Sequence, residues 1–138
     1  MSNMRDQLDP QLKAAVDQIQ EQLSKMKDFQ AKKSKQVETR HQLGSQTHEN
    51  ELVRSELEHL EEGAQVYKLI GPTLVSQDPA DARVIVSKRL EYISKETKRC
   101  EQLIADYDKQ EDACRQVIMK LQQQVQARQE QLSESQSN

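Results

Sequence analysis

The chain has 138 residues, of which 34% are hydrophobic and 31% charged, with no Trp and a single Phe. An ordinary soluble domain is about 45–50% apolar, so a large compact core is excluded and the chain must be disordered or an elongated helix with a narrow seam. The formal net charge of −3 gives no global attraction to nucleic acid or to an anionic membrane, and no apolar run approaches the roughly 20 residues that span a bilayer.

The N-terminal stretch MSNMRDQLDPQLK carries acidic residues and no apolar run of the kind found in a secretory signal. Beyond it, apolar residues recur with helical spacing. Leu12, Val16, Ile19, Leu23 and Met26 follow alternating steps of four and three, the heptad signature of a coiled-coil seam. Gln30 and Lys33 interrupt it and Val37 resumes it; from Gly44 a shifted seam continues through Leu43, Gln46, Asn50, Val53, Leu57 and Leu60. The reading is a helix over residues 11–61, loosely packed between 28 and 50, with Gly63 as its stop.

The next segment, VYKLIGPTLV at residues 66–75, has strand composition. Gly71 and Pro72 suit the two central positions of a type II′ turn, because Gly supplies the positive φ required first and Pro the negative φ required second. This predicts a β-hairpin over residues 65–77, with Ile70 opposite Thr73, Leu69 opposite Leu74, Lys68 opposite Val75 and Tyr67 opposite Ser76. One face then carries Tyr67, Leu69 and Leu74; the other carries Val66, Ile70 and Val75 with Lys68 and Thr73. A lone hairpin is marginal in water, and one that is apolar on both faces, with two open edges, calls for strands from other chains.

Asp78 and Pro79 mark a second helix start, cap followed by first-turn proline, with Asp81 favouring the positive helix end. From Val86 the seam runs through Leu90, Ile93, Thr97, Cys100, Ile104, Tyr107, Glu111, Cys114, Ile118, Leu121, Val125, Arg128 and Leu132; eleven of these fourteen positions are apolar or Cys. This predicts a helix over residues 79–132 and a disordered tail at 133–138. The fold is therefore mainly α: one domain of two long helices, forming an antiparallel coiled coil joined by one β-hairpin. Each arm would be about 75–80 Å long at 1.5 Å per residue. The expected register sets Leu57 against Leu90, Val53 against Ile93 and Asn50 against Thr97.

Other signals read as structural. His41, His48 and His59 lie seven and eleven residues apart without a ligand set at metal spacing. Cys100 and Cys114, fourteen apart, would sit about 21 Å apart along a helix, too far to bridge, which points to packed thiols in a reduced, intracellular setting. Lys25, Lys27, Lys32, Lys33 and Lys35 form a basic patch without aromatic neighbours for stacking on bases. No phosphate-binding loop, nucleophile elbow or metalloprotease helix motif occurs, so no enzyme activity and no cofactor are expected. Heptads alone also fit a structural coiled-coil subunit of a scaffold or transcription-related assembly.

The run VYKLIGPTLV, followed by ARVIVSKRLEYI and preceded by QTHENELVRSELEHL, resembles the beta-class subunits of prefoldin over residues 46–95. The single hairpin favours the beta class over the alpha class. The resemblance implies a heterohexamer of alpha- and beta-class subunits whose hairpins build an intersubunit β-barrel. It also implies an ATP-independent cytoplasmic co-chaperone that captures unfolded actin and tubulin and delivers them to the cytosolic chaperonin, with no nucleic acid or membrane partner. Val66, Tyr67, Leu69, Ile70, Leu74 and Val75 would then be assembly residues. Clients would be held near the helix ends by Leu8, Leu12, Val16, Ile19, Leu23, Val125 and Leu132.

Overall fold

The computed structural model describes residues 9–137. Its element order is α1 (Pro10–Glu58), β1 (Val66–Ile70), β2 (Thr73–Gln77) and α2 (Pro79–Ser137). The chain divides into two compact units, Met1–Lys35 with Ile104–Asn138, and Gln36–Leu103. Within each unit a segment of α1 packs against a segment of α2 running in the opposite direction.

Both helices start on the same device. Asp9 precedes Pro10, and its carboxylate accepts a hydrogen bond from the Gln11 N–H at 3.1 Å. Asp78 precedes Pro79, and its carboxylate accepts one from the Ala80 N–H at 2.9 Å. Each Asp satisfies a donor that the first turn leaves unpaired, and each proline sits where its missing N–H costs nothing. At its other end α2 continues to Ser137, so the stretch expected to be a disordered tail is helical as far as it is described.

Helix α1 stops at Glu58, earlier than the sequence reading placed it. Its last turn is closed from outside: the Arg83 guanidinium donates twice to the Leu57 carbonyl, at 3.1 and 2.9 Å. A cation on the last carbonyls also complements the negative end of the helix. Gly63 has a different task from ending the helix. The Ala64 N–H donates to the Glu61 carbonyl at 3.1 Å and Gly63 has φ +86°. Those are the features of a type II turn, whose third position favours Gly.

The α2 seam lies where the heptads put it. All fourteen positions from Val86 to Leu132 are buried or half-buried. In α1 the structure corrects the sequence reading. Its inward positions follow one unbroken 3–4 alternation: Leu12, Ala15, Ile19, Gln22, Met26, Phe29, Lys33, Gln36, Arg40, Leu43, Thr47, Asn50, Arg54 and Leu57. Twelve of these are buried or half-buried, and Arg40 and Arg54 are exposed. No phase change occurs near Gly44. Leu23, Val37 and Val53, assigned to the seam by the apolar pattern, are exposed instead.

The true seam is half polar, and four of its seven polar members, Lys33, Gln36, Thr47 and Asn50, find partners. Lys33 pairs with Asp108. The Cys100 thiol donates to Gln36 Oε1 at 3.3 Å. Thr47, Asn50 and Thr97 donate to carbonyls four residues back on their own helices, at 2.9, 2.7 and 2.8 Å. Asn50 and Thr97, set against each other by the expected register, each donate within their own helix.

The register is shifted from that expectation by four to ten residues, about one to three helical turns. Leu57 packs with Ala82 and Val86, with Leu60, Val66 and Leu90 at the margin of the cluster. Ile93 clusters with Leu43 and Cys100.

The loose packing expected over 28–50 is revised in its first part, 28–35. Phe29 stacks on Tyr107 with centroids 6.4 Å apart, and Lys32 lies 5.9 Å over the Phe29 ring. Glu111, buried, accepts from Gln30 Nε2 at 2.9 Å and pairs with Arg115 at 3.4 Å. Of the basic patch, Lys33 thus makes a cross-helix ion pair, and Asp108 holds its ammonium above the usual lysine range.

Two side-chain truncations separate the seam from the apolar pattern. Leu57→Ala empties a packed site and should cost about 2–4 kcal/mol of stability in thermal or urea unfolding followed by circular dichroism. Val53→Ala, at an exposed position, should cost less than about 0.5 kcal/mol. Equal losses would contradict this seam.

Candidate functional site

The strands pair antiparallel in the register that the sequence predicts, from Val66 opposite Gln77 to Ile70 opposite Thr73. Gly71 has φ +58°, a left-handed value at the first central position of the turn. With Pro72 at the second, this is the type II′ arrangement, whose twist matches that of the strands it joins.

Only the base of the hairpin touches its own helices. Val66 packs at the edge of the Leu57, Ala82 and Val86 cluster, and Gln77 opposite it is half-buried. Beyond that first pair everything is open. Leu69 and Leu74, direct cross-strand partners, are 68% and 65% exposed. Tyr67 on the same face and Ile70 and Val75 on the other are exposed as well. The Tyr67 hydroxyl donates to Gln65 Oε1, which leaves its ring free at the surface. All six residues assigned to the hairpin are thus together on one two-stranded ribbon, five of them uncovered.

The residues assigned to the helix ends stand differently. Leu8 lies outside the described residues. Leu12 is buried, Val16, Ile19, Val125 and Leu132 are half-buried, and Leu23 is exposed. Leu12, Ala15, Val125 and Arg128 line a shallow groove between the two helix segments. Most of this apolar set therefore faces inward along the seam, with Leu23 presented outward.

Sequence reasoning missed the ion pair that ties this end. Arg128 donates from Nε to Asp9 Oδ2 at 3.0 Å and from its second terminal nitrogen to Oδ1 at 3.1 Å. The fork-to-fork geometry is the strongest form of such a pair. Its hydrogen bonds from Arg128 hold the Asp9 carboxyl below its ordinary value of 3.8, and Asp9 in turn raises the Arg128 guanidinium. The Asp-Pro start at residues 9–10 was legible in the sequence, since the same pair marks α2. The partner was not, because a charged residue at a seam position reads as an interruption.

Other candidate chemistry does not assemble. Cys100 and Cys114 are buried free thiols. His41, His48 and His59 are exposed, and His59 Nδ1 lies 2.7 Å from the Ser55 carbonyl. Among the described residues no group of His, Cys, Asp or Glu is placed to hold a metal ion, and no helix is long and apolar enough to cross a membrane.

A ribbon with two uncovered apolar faces, raised on paired helices, is the architecture of a subunit that completes its sheet with others. The family described as Prefoldin subunit matches residues 20–128, and the chain belongs to that family. It is similar to proteins named prefoldin subunit 6. The Arabidopsis thaliana protein is 44% identical over 117 residues, covering 82% of this chain and 91% of the relative. The Homo sapiens protein is 38% identical over 108 residues, covering 78% and 84%. Among solved structures, the prefoldin beta subunit from Thermococcus strain KS-1 superposes with a TM-score of 0.67 at 18% identity, over 78% of this chain and 92% of that one. At that identity the likeness speaks for the fold.

The clasp has a pH signature. A carboxylate whose pKa is depressed on folding stabilises the folded form above its ordinary value, and that contribution fades as pH falls through the depressed one. Order at the start of α1 should therefore hold above pH 3.8 and weaken below it. In an NMR titration the Asp9 carboxyl midpoint should lie below 3.8 and rise in Arg128→Gln. A midpoint that does not move in the variant would remove Arg128 as the cause.

Proposed function

We propose that the chain is a beta-class subunit of a hexameric, ATP-independent co-chaperone, built from alpha- and beta-class prefoldin subunits through a shared β-barrel. The complex captures unfolded proteins, actin and tubulin among them, and delivers them to the cytosolic chaperonin in the cytoplasm. The chain acts by binding and has no catalytic role. The observation that carries this reading is the Leu69–Leu74 pair, about two-thirds exposed on both strands of a sheet with only two members. Such a surface is an aggregation hazard unless strands of partner chains cover it. The relatives named prefoldin subunit 6, matched over most of their length, support the same assignment.

In this reading the hairpin residues Val66, Tyr67, Leu69, Ile70, Leu74 and Val75 join the subunit to its neighbours. Clients engage the helix-end set of Leu8, Leu12, Val16, Ile19, Leu23, Val125 and Leu132. Leu23 is already outward; the inward members become available when the terminal turns open, the low-stability end of any helix pair. Each contact is weak. Several subunits holding one client convert weak contacts into avidity through effective concentration.

The complete complex should suppress light scattering by a denatured client without nucleotide. A complex that assembles but suppresses nothing would favour a scaffold role for the same coiled coil. Leu69→Asp with Leu74→Asp places two like charges directly opposite each other on the ribbon. The double variant should no longer co-purify with partner subunits, while its helical circular dichroism stays close to that of the parent. Stoichiometric co-purification would mean that the hairpin is not the joint.

A further inference from the structure

Two helices in a coil need one apolar stripe each. Near the hairpin this chain carries a second. On α2, Ile85 and Tyr92 stand seven residues apart beside the buried stripe of Ala82, Val86 and Ile93, and Tyr92 is 64% exposed. On α1, Val53 is exposed next to the buried Leu57. Ile85 and Tyr92 line a groove together with Gln46, Asn50, Ile93, Lys88 and Arg89, and Val53 lines the adjoining depression at the hairpin base. Among the described residues neither cation has an ion-pair partner.

The other side of the same helix pair is a built-in comparison. There the groove is lined by Thr47, Glu51, Arg54, Ser94, Thr97, Lys98 and Glu101 around Leu90, with both signs of charge and one large apolar residue. Two sides of one coil thus differ: one is polar and self-neutralising, the other apolar and cationic. A solvated face has no need of the second composition.

The apolar groove is also continuous with the hairpin. Ile85 and Arg89 line both it and the depression at the hairpin base, which Val53, Val66 and Tyr67 also line. We propose that the face of Val53, Ile85, Arg89 and Tyr92 extends the subunit joint from the hairpin onto the helices. Its occupant is a neighbouring subunit of the hexamer, presenting apolar side chains beside a carboxylate that meets Lys88 and Arg89. This rests on the hexamer reading above. The buried apolar contact holds the subunit, and the charge pair, desolvated at the rim, sets which neighbour fits.

The test compares reconstituted complexes of full-length chains. Tyr92→Glu and Arg89→Glu should each weaken incorporation at least tenfold, as read by native mass spectrometry over a concentration series. Lys98→Glu, on the polar side, should leave it unchanged. Hydroxyl-radical footprinting should show Tyr92 protected in the client-free complex relative to the free chain. If Leu69→Asp with Leu74→Asp fails to release the subunit, the hairpin is not the joint and the reading on which this inference rests falls. If that variant is released while Tyr92→Glu incorporates normally and Tyr92 stays reactive, only the extended joint is overturned. Protection of Tyr92 that appears only after an unfolded client is added would overturn it in favour of client contact.

Discussion

A chain with so few apolar residues can bury only a seam, and the whole structure depends on how that seam is filled. In α2 it is mostly aliphatic and Cys, so its position is fixed by the hydrophobic effect alone. In α1 only half of the inward positions are apolar. Among the polar ones, two are held by pairings: Lys33 with Asp108 and Gln36 with the Cys100 thiol. Thr47 and Asn50 are quieted by bonding their own helix. Buried polar groups tolerate the interior only when satisfied, so these residues restrict which turns of α2 may lie opposite α1. They contribute alignment more than cohesion.

The same shortage of apolar area shapes the hairpin. The helices cover Val66 and Gln77 at its base, and their apolar side chains are then spent on each other. Among the described residues nothing is left for Leu69 and Leu74. The hairpin is therefore stable in company, and the physical reason for assembly lies in the economy of the seam. An oligomer built this way hides its sheet edges in a closed set of strands, which is how β-structure avoids open-ended growth.

At the other unit the chemistry changes from packing to clasp. Asp9 caps α1 and holds Arg128 at the same time, so one carboxylate orders a helix start and joins two helices. The two-pronged geometry makes this pair more than an ordinary surface contact.

The sequence by itself determined the helix–hairpin–helix order, the type II′ turn at Gly71-Pro72, the strand register and the whole α2 seam. Each of these is local or strictly periodic: a turn needs particular φ values, and eleven apolar or Cys residues in fourteen positions leave one face to bury. The resemblance of residues 46–95 to prefoldin beta-class subunits also held. Only the tertiary structure decided the α1 seam, the pairing register and the end of α1. Apolar Leu23, Val37 and Val53 drew the pattern to the wrong face, while Gln22, Lys33 and Gln36 occupy the right one. A polar residue is admitted to a seam by a partner some 60–80 positions away in sequence, and no local pattern records that partner. For the same reason Arg128 read as a gap in the heptads until folding placed Asp9 across from it.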